Sequence, residues 1–135
     1  MAIEDIYAEE LIYNYENPSA KGKLANSTVS MHEENVSCGD VITVYLVIKD
    51  GKIANAKFEG TGCVISMGTA NMLIEHVKGV GLEQLEKMTQ GDLLKLITID
   101  PGPVRMHCAT LSLRAVKKAV LGYEKKPIDT ATKEL

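Results

Sequence analysis

At 135 residues, 45% hydrophobic and 24% charged, the chain has the size and composition of one ordinary globular domain, expected to run from 1 to 135. The net charge of −3, from 15 Lys plus Arg against 18 Asp plus Glu, lacks the basic footprint of a nucleic-acid binder, and one Phe, five Tyr and no Trp supply no base-stacking platform. No apolar run approaches the roughly 20 residues that span a bilayer, and Met1 to Asp5 is acidic where a secretory signal is basic, so a cytoplasmic protein without membrane or nucleic-acid partners is expected.

The first element is an amphipathic helix over 3–16, with Ile3, Ile6, Tyr7, Leu11 and Ile12 on one face, stopped by Asn17-Pro18. Ser27 to Met31 reads as a first strand. Val41 to Ile48, rich in β-branched residues, is the strongest strand in the chain. Asp50-Gly51 is a hairpin signal, and Ile53 to Phe58 returns as the third strand, with Ile53, Asn55 and Lys57 opposite Ala54, Ala56 and Phe58. Gly60-Thr61-Gly62 ends the sheet. A helix follows over 64–77, with Ile65, Gly68, Met72 and Glu75 at helical spacing.

Leu82 to Met88 and Asp92 to Ile97 read as two short helices. The rigid Asp100-Pro101-Gly102-Pro103 connector leads to a last helix over 104–123, striped by Leu111, Ala115, Val116, Ala119 and Val120. Residues 124–135 are polar and read as a frayed tail. The order predicts an α+β fold, a small three-stranded antiparallel meander with five helices on one face. Met67, Met72 and Met88 are expected to fill the core, and His32 and His76 to be surface residues. Lys117-Lys118 and Lys125-Lys126 are expected on a solvated face and the tail.

Three cysteines carry the chemistry: Cys38 in Ser-Cys-Gly-Asp, Cys63 in Gly-Thr-Gly-Cys and Cys108 in Met-His-Cys-Ala. An odd number of cysteines cannot all pair within one chain, and in a reducing compartment the thiols serve metals or catalysis. Each falls at an element end, so one rim of the fold can gather them. Cys38 and Asp40, two apart in an extended segment, face the same way. Cys63 at a helix N-terminus meets free N–H groups and the positive dipole end, which favour the thiolate. His107 and Arg105 beside Cys108 suggest a cationic setting that makes it the most nucleophilic of the three. The separations of 25 and 45 residues are not those of a Cys-x-x-Cys knuckle, so only a folded scaffold can assemble the ligands. Three thiolates with Asp40 or His107 make a four-ligand set for an iron–sulfur cluster or for zinc.

These motifs resemble the IscU/NifU-type iron–sulfur cluster assembly scaffolds over most of the chain. Tyr7 to Pro18, Ser37 to Asp40, Phe58 to Cys63 and Pro103 to Cys108 (PVRMHC) are similar to four family motifs, in the family's order. The resemblance implies a scaffold, not a turnover enzyme. A transient [2Fe–2S] cluster would sit on Cys38, Cys63 and Cys108 with Asp40 or His107. Cys108 would accept persulfide from a cysteine desulfurase, recipient apoproteins would take the cluster, and the segment containing Tyr7 would take part in self-association. The surroundings of Cys63 and Cys108 are similar to the SufU branch, which implies the alternative of a zinc-dependent sulfurtransferase using the same ligands. A plain structural zinc module is a third reading. Asp100 to Arg105 departs from the family's Leu-Pro-Pro-Val-Lys segment, read by a specialised chaperone, so that partner does not follow from the resemblance.

Overall fold

The computed structural model describes residues 3–133 and 135. In chain order the elements are α1 (Ile3–Glu16), β1 (Val29–Asn35), β2 (Asp40–Lys49), β3 (Lys52–Thr61), α2 (Val64–Val77), α3 (Leu82–Lys87), α4 (Gln90–Ile97), α5 (Met106–Tyr123) and α6 (Thr130–Lys133). The strands form one antiparallel sheet in the order β1-β2-β3. This is the expected α+β meander, with α6 added.

β2 alternates strictly, placing Ile42, Val44, Leu46 and Ile48 inward, as a sheet with one solvated face requires. β3 does not alternate as the sequence suggested. Val47 pairs with Asn55 but Ile48 with Ile53, so Ala54 is bulged out and Ile53, Ala56 and Phe58 all point into the core. Asp50 and Gly51, at φ 53° and 73°, form the tight hairpin turn between β2 and β3. β1 runs four residues beyond its expected end. Its half-buried Glu33 is held by Arg114 Nε and Lys118 Nζ, both at 3.0 Å, so a charged strand end docks on α5.

α2 is the central helix. Its buried residues run nearly around its axis, from Ser66 through Ala70, Leu73 and Ile74 to Val77. Of the three methionines expected in the core, Met67 and Met88 fill it and Met72 is half-buried, while Glu75 is exposed. α1 lies on α2 and buries Leu11; the side chains of Ile3, Ile6 and Tyr7 lie outside the described residues. α4 begins two residues before its expected start because Thr89 and Asp92 form a capping box: Asp92 N–H donates to Thr89 Oγ1 at 3.2 Å and Thr89 N–H to Asp92 Oδ2 at 2.9 Å.

α5 packs Leu113, Val116, Ala119 and Val120 against the sheet and α2, and starts only at Met106, leaving Val104 86% exposed. One expectation about charge is corrected here. Lys117 is 1% exposed, its Nζ donating to Met88 O at 2.8 Å, because it fixes the α3–α4 junction to α5. In the 124–135 stretch Lys125 to Pro127 are exposed, while Leu135 is 5% exposed and Arg114 Nη1 donates to its main-chain oxygen at 3.1 Å.

Candidate metal centre

Three chain segments meet at the end of the sheet where β1 turns into β2. Asn35, the last residue of β1, accepts main-chain hydrogen bonds from Cys38 N–H (3.2 Å) and Gly39 N–H (2.8 Å). That turn projects the exposed Cys38 and starts β2 at Asp40, which lies opposite Asn35 and is 3% exposed. Cys63 follows β3 as the N-cap of α2. Cys108 lies in the first turn of α5 and is 1% exposed.

Cys38, Asp40 and Cys108 bring one ligand atom each to within 4.8 Å of one another. The Cys108 thiol donates to Cys38 Sγ at 3.3 Å. Asp40 Oδ2 is buried and finds no hydrogen-bond partner among the described residues. A buried carboxylate oxygen without a donor is costly unless a proton or a cation completes it. Two soft sulfurs and one such oxygen therefore suit a thiophilic metal.

Cys63 stands outside this trio but adjoins it through Asp40. A β-carbon on Gly62 would run into Ser66 Oγ and lie 2.8 Å from Asp40 Oδ1, so only glycine lets the Cys63 loop pass this close. The Cys63 sulfur accepts from Ser66 N–H at 3.4 Å, with Ser66 Oγ 3.6 Å away. Burial alone raises the Cys63 pKa, and the Asp40 charge adds to that. The Ser66 N–H and hydroxyl outweigh both, so the thiol sits below its ordinary value, as the helix-terminus argument required.

Cys108 reverses the expected ranking. Burial first, then hydrogen bonds with Cys38 and Asp40, then the charges of Asp40 and Cys63 push its pKa up to about 12. Arg105 is exposed, and the surroundings of the sulfur are acidic rather than cationic. Cys108 is therefore a more reluctant thiolate than Cys63, which is held below its ordinary value.

His107 is not among the converging ligand atoms. Its exposed ring places Nδ1 3.2 Å from Leu135 O, and since that oxygen accepts, Nδ1–H donates to it. His32, between Thr43 Oγ1 and Glu34 Oε1 at 3.0 Å each, and His76 lie on the surface, as expected. Sequence reasoning missed two residues that touch the sulfurs. Ser66, three residues after Cys63, was legible as a cap-type spacing. Asn35 was not: its 7%-exposed side chain donates Nδ2–H to Cys108 Sγ at 3.5 Å across 73 residues.

Residues 6–130 match the family described as NifU-like N terminal domain. The chain is 35% identical to the iron–sulfur cluster assembly scaffold protein IscU of Thermotoga maritima, across 89% of this chain and 96% of that protein. It is 31% identical to the zinc-dependent sulfurtransferase SufU of Bacillus subtilis, across 90% and 94% respectively. In fold it superposes on the N-terminal NifU-like protein of Brucella abortus with a TM-score of 0.74, at 20% identity, over 93% of this chain and 99% of the other.

Proposed function

Because this chain belongs to the NifU-like N-terminal domain family, we propose that it assembles an iron–sulfur cluster and hands it on to recipient apoproteins. The Cys38–Asp40–Cys108 group, together with the partnerless buried Oδ2 of Asp40, is the observation that carries the reading. Cys63, adjoining Asp40, completes three thiolates and one carboxylate, the four protein ligands that a [2Fe–2S] cluster takes. His107 joins only if its free Nε2 swings toward the sulfurs.

The cluster is cargo here. A hard oxygen among soft sulfurs holds iron less tightly than a fourth thiolate does, which suits release. Cys38, at the exposed tip of the β1–β2 turn, faces arriving partners, and the exposed Val36 and Val104 lie on the two loops beside the site. The sulfur source is a cysteine desulfurase. The resemblance assigns persulfide acceptance to Cys108, but that sulfur is sealed, and exposure favours Cys38 as the first to receive it. No helix among the described residues is long and apolar enough to cross a membrane.

Anaerobic incubation with ferrous iron, a desulfurase and cysteine should give a thiolate-to-iron charge-transfer spectrum with equal iron and sulfide. An apo-ferredoxin should then take up the cluster. Asp40→Cys, which puts a fourth thiolate in place of the oxygen, should keep its cluster longer than the parent; faster loss would refute the role given to the carboxylate. A colourless protein holding one zinc, and passing sulfur without ever binding iron, would instead establish the zinc-dependent sulfurtransferase reading. The same donor set supports that reading, because three thiolates and one carboxylate also suit tetrahedral zinc.

A further inference from the structure

The scaffold reading leaves open how the sulfane sulfur of a persulfide, at the oxidation level of elemental sulfur, becomes the sulfide a cluster contains. We propose that the Cys38–Cys108 pair supplies the two electrons, so that the metal-free protein converts a persulfide on Cys38 into free sulfide and an internal disulfide. The proposal rests on the sulfur-receiving part of that reading.

Three observations meet at this pair. Cys38 is exposed in the Val36–Gly39 turn, outside any strand, where a sulfur donor reaches it. Cys108 is buried behind it, out of a donor's reach. The two sulfurs are already 3.3 Å apart, within the roughly 3–3.5 Å separation of atoms poised to react. An exposed receiving thiol with a buried thiol against it is the arrangement that resolves mixed sulfur–sulfur bonds by exchange.

The chemistry balances without another reagent. First the Cys38 thiolate attacks the outer sulfur of a donor persulfide R–S–SH, giving Cys38–S–SH and releasing the donor thiolate. The Cys38 persulfide then loses its proton to water. Next the deprotonated outer sulfur takes the Cys108 proton, and the Cys108 thiolate so formed attacks the inner sulfur, Cys38 Sγ, which is the atom the structure sets beside it. The Cys38 sulfur–sulfur bond breaks, the Cys38–Cys108 disulfide forms, and the outer sulfur leaves with the Cys108 proton as HS⁻. Two thiol sulfurs are oxidised by one electron each, and the outer sulfur is reduced by two. The product appears beside Asp40 and Cys63, where iron would bind. A further round takes an external dithiol to reduce the disulfide.

The full chain, stripped of metal with a chelator, is treated with glutathione persulfide, desalted, and left without reductant. Sulfide trapped with monobromobimane should rise in step with a Cys38–Cys108 disulfide seen by peptide mass spectrometry, one sulfide for each disulfide. Cys108→Ala should retain the Cys38 persulfide and release sulfide at least tenfold more slowly. A parent that keeps its Cys38 persulfide, or moves it onto Cys108, overturns the proposal; so does a Cys108→Ala protein that releases sulfide at the parent's rate. Should that variant fail to fold, the coupled appearance of sulfide and disulfide in the parent decides alone, and sulfide without disulfide overturns the proposal. Iron takes no part, so failure here leaves the cluster-building test standing, and failure of that test leaves this one readable.

Discussion

Cys63 and Cys108 both sit where a helix begins, yet the fold treats them oppositely. Cys63 is the N-cap of α2, and its sulfur takes the place of the usual hydroxyl or carboxylate in accepting an N–H from the first turn. Cys108 is the third residue of α5, beyond the cap, and its neighbours are a carboxylate and two sulfurs. Standing near a helix N-terminus is therefore not enough to make a reactive cysteine. The sulfur must occupy the position at which free N–H groups point, and water must reach it. Inside the first turn, burial and like charge outweigh the dipole.

The largest test of that contrast is alkylation of the metal-free protein with limiting iodoacetamide near neutral pH. Since the thiolate is the reactive species, Cys63 should be modified at least ~100-fold faster than Cys108. Comparable rates, read by peptide mass spectrometry, would erase the distinction. Next comes Asn35→Leu, which keeps the volume and the main-chain bonds to the Cys38 turn but removes the N–H aimed at Cys108. Cobalt affinity should fall ~10- to 100-fold, the usual cost of losing a donor that supports a metal ligand. The sulfur-to-cobalt charge-transfer band should also move to longer wavelength, because the sulfur lone pairs lose a stabilising hydrogen bond.

A smaller effect follows from the Cys108 proton. With the thiol pushed up to about 12, binding any metal there at neutral pH must expel a proton. Apparent zinc affinity should therefore rise with pH, by about tenfold per unit for each proton released; competition titrations between pH 6 and 8 should show that slope. A flat profile would mean that Cys108 is no ligand. Last and least, Ser66→Ala removes the hydroxyl beside the Cys63 sulfur and leaves the N–H that donates to it. Cys63 alkylation should slow only severalfold, and unfolding free energy should fall by no more than ~1 kcal/mol.

Much of this protein is written locally. The β2–β3 hairpin, the stop after Asn17-Pro18 and the span of α2 follow from alternation, turn chemistry and helical spacing, all of which act within a few residues of the chain. So does the lowered pKa of Cys63, which depends on a neighbour three positions away; Cys38 and Asp40 do converge, but around the Val36–Gly39 turn, with Gly39 at φ 75°, and not along the extended segment expected. A sequence pattern can carry those because backbone geometry fixes the distances.

What the chain order leaves undecided is which surfaces face each other. The inward turn of Ile53 needs a bulge opposite β2. The burial of Lys117 needs the Met88 carbonyl, and the packing of Leu135 needs Arg114. The character of Cys108 is set by Asn35, Cys38, Asp40 and Cys63, the nearest of them 45 residues away. Burial and through-space charge are properties of the assembled core. The sequence by itself therefore singled out three cysteines and Asp40 as candidate ligands, while only the tertiary structure decided which thiol is open, which is sealed and which two touch.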